Sequence, residues 1–125
     1  MTVKDILIPN DFEHERAMIN DKWWWTRNLV RESKDLEVFD LDLMSVDLGV
    51  MPWECKSILY FAGHMLDVNN CNLKYPVILA PSGWVMDGWH RVVKAVMQGK
   101  KTIKAVRFVT LPEPDGSKNT YKEQE

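Results

Sequence analysis

One segment of this chain, residues 76–106, constrains the fold more than any other. Its apolar residues fall in short runs separated by turn-forming residues, which predicts a strand, a turn, a return strand, a helix and a final strand. The predicted strands cover 75–80, 84–86 and 101–109, and the predicted helix covers 88–98. Strands and helices that alternate so closely indicate an α/β (α+β) fold, with a small mixed sheet and flanking helices.

Two further helices are predicted upstream of this segment. The first is capped by Asp11 and continues, with a break near Asn20, to about Glu32. The second begins at Pro52 and runs over 53–68, with an apolar stripe as its buried face. Short strands and a loop complete this half of the chain: a strand over 4–9, a strand over 36–43 and a loop over 44–51.

The length of 125 residues suits one globular domain. Residues 1–35 are expected to be a helical, tryptophan-rich segment packed on the core, 36–111 the domain proper, and 112–125 a flexible polar tail. No apolar stretch is long enough to span a bilayer, so we expect a soluble, cytoplasmic protein with no membrane partner. Cys55 and Cys71 lack metal-ligand spacing and are expected to be free thiols.

The turn Asp87-Gly88-Trp89-His90-Arg91 carries the chemistry that the sequence suggests. A glycine between a strand and a helix lets the backbone approach a ligand closely, and the first amides of the helix have no intrahelical acceptors. A phosphate is the natural occupant of such a helix start. Arg91 can donate two hydrogen bonds to phosphate oxygens, and His90 and Lys94 add further donors.

Each of these side chains also has a purely structural interpretation. Asp87 is suited to cap the helix that follows it. His90 is able to hydrogen-bond a neighbouring loop, and Arg91 to pair with Asp42 or Asp47. The residues alone leave both interpretations open.

The run VILAPSGWVMDGWHRVVKAVMQGKKTIKAVRF, at 77–108, resembles the ParB N-terminal domain/sulfiredoxin superfamily. The run VFDLDLMSV, at 38–46, is similar to the early strand of that family, so the resemblance covers roughly 36–108. It implies a small α/β fold in which nucleotide phosphates lie at the amides of Gly88 to Arg91. It also implies a stand-alone member, since small members of this kind occur in phages and mobile elements.

Two departures from the family narrow what the resemblance implies. Sulfiredoxins carry a reactive cysteine where this chain has Trp89, so we do not expect it to be a sulfiredoxin. ParB proteins that bind CTP also carry a helix-turn-helix domain, which has no counterpart here, so centromere binding is not expected.

The leading hypothesis is a nucleotide-binding domain that hydrolyses or transfers phosphate, or cleaves nucleic acid as a nuclease. Gly88, Trp89, His90, Arg91 and Lys94 would bind the phosphates of a nucleotide such as ATP or CTP. The predicted catalytic residues are Asp87, Asp42 and Asp47. Asp87 would bind Mg²⁺ through water or act as a base, because a carboxylate beside a phosphate needs an intervening cation.

The alternative is a non-catalytic module that binds protein or DNA. A protein partner would be bound through exposed tryptophans, unless these are core residues. DNA would be bound through basic residues near the last helix and strand, unless these only form a solvated face. His64, on the second upstream helix, is either an exposed side chain or a ligand. The partner and the oligomeric state stay open.

Overall fold

The computed structural model describes residues 16–117, which contain three helices, seven strands and a short 3-10 turn. The predicted strand over 4–9 and the Asp11 cap lie outside these residues. The mixed α and β content agrees with the predicted fold class. In chain order the elements are β1 (Arg16–Ile19), β2 (Lys22–Trp25), α1 (Thr26–Ser33), β3 (Phe39–Asp42), the 3-10 turn (Leu43–Ser45), α2 (Ile58–Asn70), β4 (Val77–Leu79), β5 (Val85–Asp87), α3 (Trp89–Met97), β6 (Thr102–Arg107) and β7 (Gly116–Ser117).

A four-stranded mixed sheet forms the middle layer and is covered on both faces. Its strand order is β3-β6-β4-β5, with β4 parallel to β6 and the other neighbours antiparallel. Successive side chains of a strand point to opposite faces. Val77 and Leu79 therefore pack in the cluster that contains Val92 of α3, whereas Ile78 packs with Trp24 and other residues of the N-terminal segment.

The N-terminal segment is a β-hairpin rather than the predicted helix, which is found only over Thr26–Ser33. The predicted break at Asn20 is the hairpin turn, and Asn20 has the positive φ of 58° that tight hairpin turns require. Consecutive tryptophans cannot share one face of a helix. A strand accepts them because neighbours alternate between faces, and both Trp23 and Trp24 are buried.

The first part of the predicted flexible tail is instead packed on this hairpin. The Trp24 indole donates to the Pro112 carbonyl oxygen at 2.9 Å, and the Asp115 amide donates to the Trp23 carbonyl oxygen at 2.9 Å. Strand β7 then pairs with β2. Residues 112–117 therefore contact the hairpin, because the buried indole N–H groups find their acceptors there. The rest of the tail lies outside the described residues.

Helix α2 begins later than predicted. Ser57 caps it by accepting a hydrogen bond from the Tyr60 amide, so Pro52 lies well before the first turn. An apolar stripe was expected to be the buried face of this helix, but only Gly63 and Val68 are buried, and the apolar residues Ile58 and Leu59 are exposed.

Two further predictions concern membrane-spanning helices and the state of the two cysteines. None of the helices within 16–117 combines the length and the apolar character needed to cross a membrane. Cys55 and Cys71 are free thiols, as predicted.

Candidate functional site

Gly88 joins β5 to α3, and both its backbone conformation and its close neighbours require glycine at this position. Its φ is +111°, and it is the N-cap residue of α3. A Cβ at this position would lie 2.6 Å from Cγ1 of Val77 and 2.9 Å from a guanidinium nitrogen of Arg91. The first intrahelical bond runs from the Val92 amide to the Gly88 carbonyl oxygen. The amides from Trp89 to Arg91 precede that bond and have no intrahelical acceptors, and no side chain caps the helix.

Asp87 and Arg91 form a largely buried ion pair beside this helix start. Nη2 of Arg91 donates to Oδ2 of Asp87 at 3.0 Å, and the two side chains are 17% and 18% exposed. Burial raises the pKa of Asp87, while the guanidinium opposes that rise. Asp87 is thus the partner of Arg91 and not the cap of α3, so the predicted cap at Asp87 is wrong.

One donor of Arg91 is left over from this pair. Its Nε is buried, and none of the described residues accepts a hydrogen bond from it. A guanidinium carries five N–H donors, and a buried donor without an acceptor destabilises the fold by about 1–3 kcal/mol. Arg91 therefore keeps one N–H donor that has no acceptor among the described residues.

Lys94 was predicted to bind phosphate, but its ammonium group contacts the end of α2. Its Nζ donates to the carbonyl oxygens of Asn69 at 3.0 Å and Cys71 at 2.7 Å. These oxygens lie at the C-terminal end of α2, where the helix dipole favours a cation. Lys94 therefore links α2 to α3.

The predicted catalytic carboxylates do not come together. Asp42 ends β3, which is at the opposite edge of the sheet from β5 and Asp87. Three strand spacings separate these edges, which amounts to about 14 Å across the sheet. Asp42 instead accepts a hydrogen bond from the Met44 amide, and Asp47 accepts one from the Gly49 amide, each at 2.9 Å. Both carboxylates therefore stabilise local turns.

Two histidines meet where α2 contacts the start of α3. Nδ1 of His64 lies 2.8 Å from Nε2 of His90, which occupies the first turn of α3. Asp67 follows His64 by one helical turn, and its Oδ2 lies 3.8 Å from Nε2 of His90. One ligand atom from each of the three residues lies within 4.8 Å of the other two.

Trp53 covers this pair of histidines. Its ring stacks on His64 and on His90, with centroid distances of 4.5 and 4.6 Å and an interplanar angle of 16° in each case. Burial lowers the pKa of His90 to about 4 and also lowers the pKa of His64, although Asp67 opposes both shifts. Both rings are therefore neutral at pH 7, and an N–H of one donates to the other.

Sequence reasoning missed Asp67 and Trp53 as members of this cluster. The spacing His64-x-x-Asp67 is a usable signal, because residues three apart share a helix face. Trp89, predicted to contact a ligand, packs its half-buried ring against the core cluster and the edge of Trp84, so its backbone amide is the part available at the turn.

A cavity of about 390 Å³ lies on the other side of the sheet, between α1 and 112–115. It is lined by Trp24, by both polar and charged side chains of α1 and by two prolines. Asn28 and Asp115, which line it, already hydrogen-bond each other at 2.9 Å. This cavity gathers no reactive groups comparable to those at the start of α3.

Comparisons with known proteins gave no match to a family model, to a curated protein or to a solved structure. The resemblance to the ParB/sulfiredoxin superfamily therefore stays a prediction from the sequence.

Proposed function

We propose that the protein binds a phosphate-bearing ligand, with a nucleotide as the leading class, at the start of α3. The observation that supports this most is the buried Nε of Arg91, which has no acceptor among the described residues and belongs to a residue of the uncapped first turn. An anion at the amides from Trp89 to Arg91 would be favoured by the helix dipole. Phosphate oxygens would also supply the acceptor that Arg91 lacks.

The proposal covers binding rather than turnover. A two-carboxylate mechanism would need a second carboxylate beside Asp87, and Asp42 lies at the other edge of the sheet. Asp87 itself is engaged by Arg91. Within 16–117, the group of side chains suited to a metal ion does not include Asp87. We therefore propose that any Mg²⁺ arrives with the phosphates of the ligand, because magnesium retains several waters and binds few protein groups.

Nucleotide binding is tested by calorimetry and thermal unfolding with ATP, ADP, CTP and GTP, each with and without Mg²⁺. A nucleotide that binds the folded chain and not the unfolded chain must raise the unfolding temperature of the protein. Arg91→Lys keeps a cation near Asp87 but removes Nε, and should weaken binding by about tenfold or more, equivalent to ~1.4 kcal/mol.

Lys100→Ala is the matched control, because it changes one positive charge at an exposed position just beyond α3. It should leave the affinity within about twofold of that of the unmodified chain. Absence of binding by every nucleotide, or equal losses in Arg91→Lys and Lys100→Ala, would refute the proposal.

A protein-binding module is the second candidate, and one observation favours it. The first turn of α2 exposes consecutive apolar side chains, with Ile58 87%, Tyr60 66% and Phe61 53% exposed. A contiguous exposed apolar patch is typical of interaction surfaces. Trp23 and Trp24 are core residues and are not among the exposed tryptophans that such a module would use.

Sedimentation of the chain over a wide concentration range tests this second candidate, with a second copy of the chain as the partner examined. Self-association that Ile58→Asp abolishes, at unchanged helix content, would support it. A monomer at every concentration would count against self-association through this patch.

The DNA-binding alternative receives less support. Of the basic residues predicted to contact phosphates, Arg91 pairs with Asp87, Lys94 binds carbonyl oxygens of α2, and Lys104 pairs with Asp40 at 2.7 Å. These contacts reduce the charge available to a DNA backbone.

A further inference from the structure

We propose that His64, Asp67 and His90 bind a divalent transition-metal ion, with Zn²⁺ as the best fit. The proposal is independent of nucleotide binding, because its ligands come from a different set of atoms at the junction of α2 and α3. It concerns the side chain of His90, whereas the anion site uses the backbone amide of that residue.

The geometry of the three residues is close to that of a zinc site. Zinc lies about 2.0–2.2 Å from nitrogen and oxygen ligands in a tetrahedron, so its ligand atoms are about 3.3 Å apart. The His64–His90 nitrogens are 2.8 Å apart, and the His90–Asp67 pair is at 3.8 Å. The first distance has to open by about 0.5 Å and the second to close by a similar amount. The third pair, His64–Asp67, lies within 4.8 Å and has to close by up to about 1.5 Å, which rotation of the exposed Asp67 side chain can supply.

The protonation state of the two histidines also suits a metal. Metal binding requires the neutral imidazole, and the facing nitrogens of His64 and His90 lie at a hydrogen-bond distance of 2.8 Å, with one ring as donor and the other as acceptor. In the metal-free pair one N–H lies between the two facing nitrogens. The metal replaces that proton, which moves to the outer nitrogen of the same ring. No net proton release is therefore needed from the histidines.

The cluster is held in place before any ion binds. Trp53 stacks on both rings and restricts their planes, and Lys94 joins the two helices at the end of α2. Three protein ligands leave one position of a tetrahedron for water or another ligand, as in catalytic zinc sites. Two imidazole nitrogens favour a transition metal over Mg²⁺ or Ca²⁺, which prefer oxygen ligands.

The test is metal titration of the purified chain after removal of metals with a chelator. Co²⁺ is the first probe, because a tetrahedral site gives it a visible absorption band, and Zn²⁺ should displace it with a stoichiometry of one. Zn²⁺ should also raise the unfolding temperature.

Substitutions assign the ligands. His64→Gln and His90→Gln should each weaken Zn²⁺ binding by about a hundredfold, and Asp67→Asn by about tenfold. Asp67 is exposed, so its substitution should not affect folding and decides the matter if the histidine variants fold poorly.

Two controls address competing ligands in the chain. The double variant Cys55→Ser/Cys71→Ser and the variant His14→Ala should bind Zn²⁺ as the unmodified chain does. The proposal is overturned if the unmodified chain shows no saturable binding. It is equally overturned if Asp67→Asn binds normally, or if binding disappears in the cysteine variant.

Discussion

His64 and His90 meet ring to ring, with Nδ1 of one 2.8 Å from Nε2 of the other, across the contact between α2 and α3. The residues are 26 positions apart in the chain. Their contact places a polar pair beside the helix start at which we propose that an anion binds. It also makes the α2–α3 junction sensitive to pH.

Acid should destabilise the protein through His90. Its pKa is about 4 when folded, against 6.5 ordinarily, so the unfolded chain takes up the proton first as the pH falls. This contribution of the neutral His90 ring to stability is complete above pH 6.5 and is lost as the pH falls from 6.5 to about 4. Urea unfolding of the metal-free chain between pH 7.5 and 4 measures this loss. His90→Gln should flatten the profile, and an unchanged slope in that variant would contradict the assignment.

Trp24→Ala should destabilise the fold by about 3–5 kcal/mol, since it removes a buried ring from the core. Trp24 is 2% exposed, and its indole N–H donates to Pro112. Trp84→Ala is the comparison, because Trp84 is 39% exposed and should lose about 1 kcal/mol. Urea denaturation followed by circular dichroism compares the two. Similar losses in both variants would mean that Trp24 is not a core residue.

Gly88→Ala should be far more harmful than Gly99→Ala. Both glycines have positive φ, but a Cβ at Gly88 would meet Val77 and Arg91, whereas Gly99 has nothing within 4 Å. We expect a loss of about 1 kcal/mol at Gly99 from backbone conformation alone, and at least ~2 kcal/mol more at Gly88. Thermal unfolding measures both. Equal losses would show that the backbone of β4 and α3 moves apart easily at the turn.

Asp115→Ala should loosen the segment that follows β6. Its carboxylate accepts hydrogen bonds from the Trp25 amide at 2.8 Å and from the Asn28 side chain at 2.9 Å. We expect a loss of about 1–2 kcal/mol and faster amide exchange in β7. Glu113→Ala, at a nearby exposed position, should change neither. If amide exchange is unchanged in Asp115→Ala, the tryptophan contacts alone hold this segment in place.

Sequence patterns predicted the segment around the site well, because its signals are local. Apolar runs separated by Pro81 and Gly83 specify the hairpin. Gly88 precedes α3 and Gly99 follows it, so the two glycines mark its ends. The helix predicted to continue to about Glu32 includes Trp23 and Trp24, because the sequence pattern is interpreted as a helix with a break near Asn20 and not as a hairpin turn. The two-residue turn and the aromatic run favour a hairpin there.

The contact between His64 and His90 could not be predicted from the sequence, for a different reason. His64 and His90 come together only through the packing of α2 on α3, and their spacing in the chain carries no trace of it. The packing of α2 on α3 also determines the role of Lys94, because its ammonium group donates hydrogen bonds to carbonyl oxygens at the end of α2. Local patterns specify elements, but the partners of polar side chains between elements depend on tertiary structure.

The most direct test of the central claim is to observe the amides from Trp89 to Arg91 while a nucleotide is added. In ¹⁵N-resolved NMR spectra, a titration with the tightest-binding nucleotide should shift the resonances of these amides first and most, together with the Arg91 Nε–H signal. The same titration should leave the amides at Lys100 and Lys101 almost unchanged. Saturable shifts confined to the lysines, or no shifts at the turn up to millimolar nucleotide, would contradict the claim that this helix start binds a phosphate-bearing ligand.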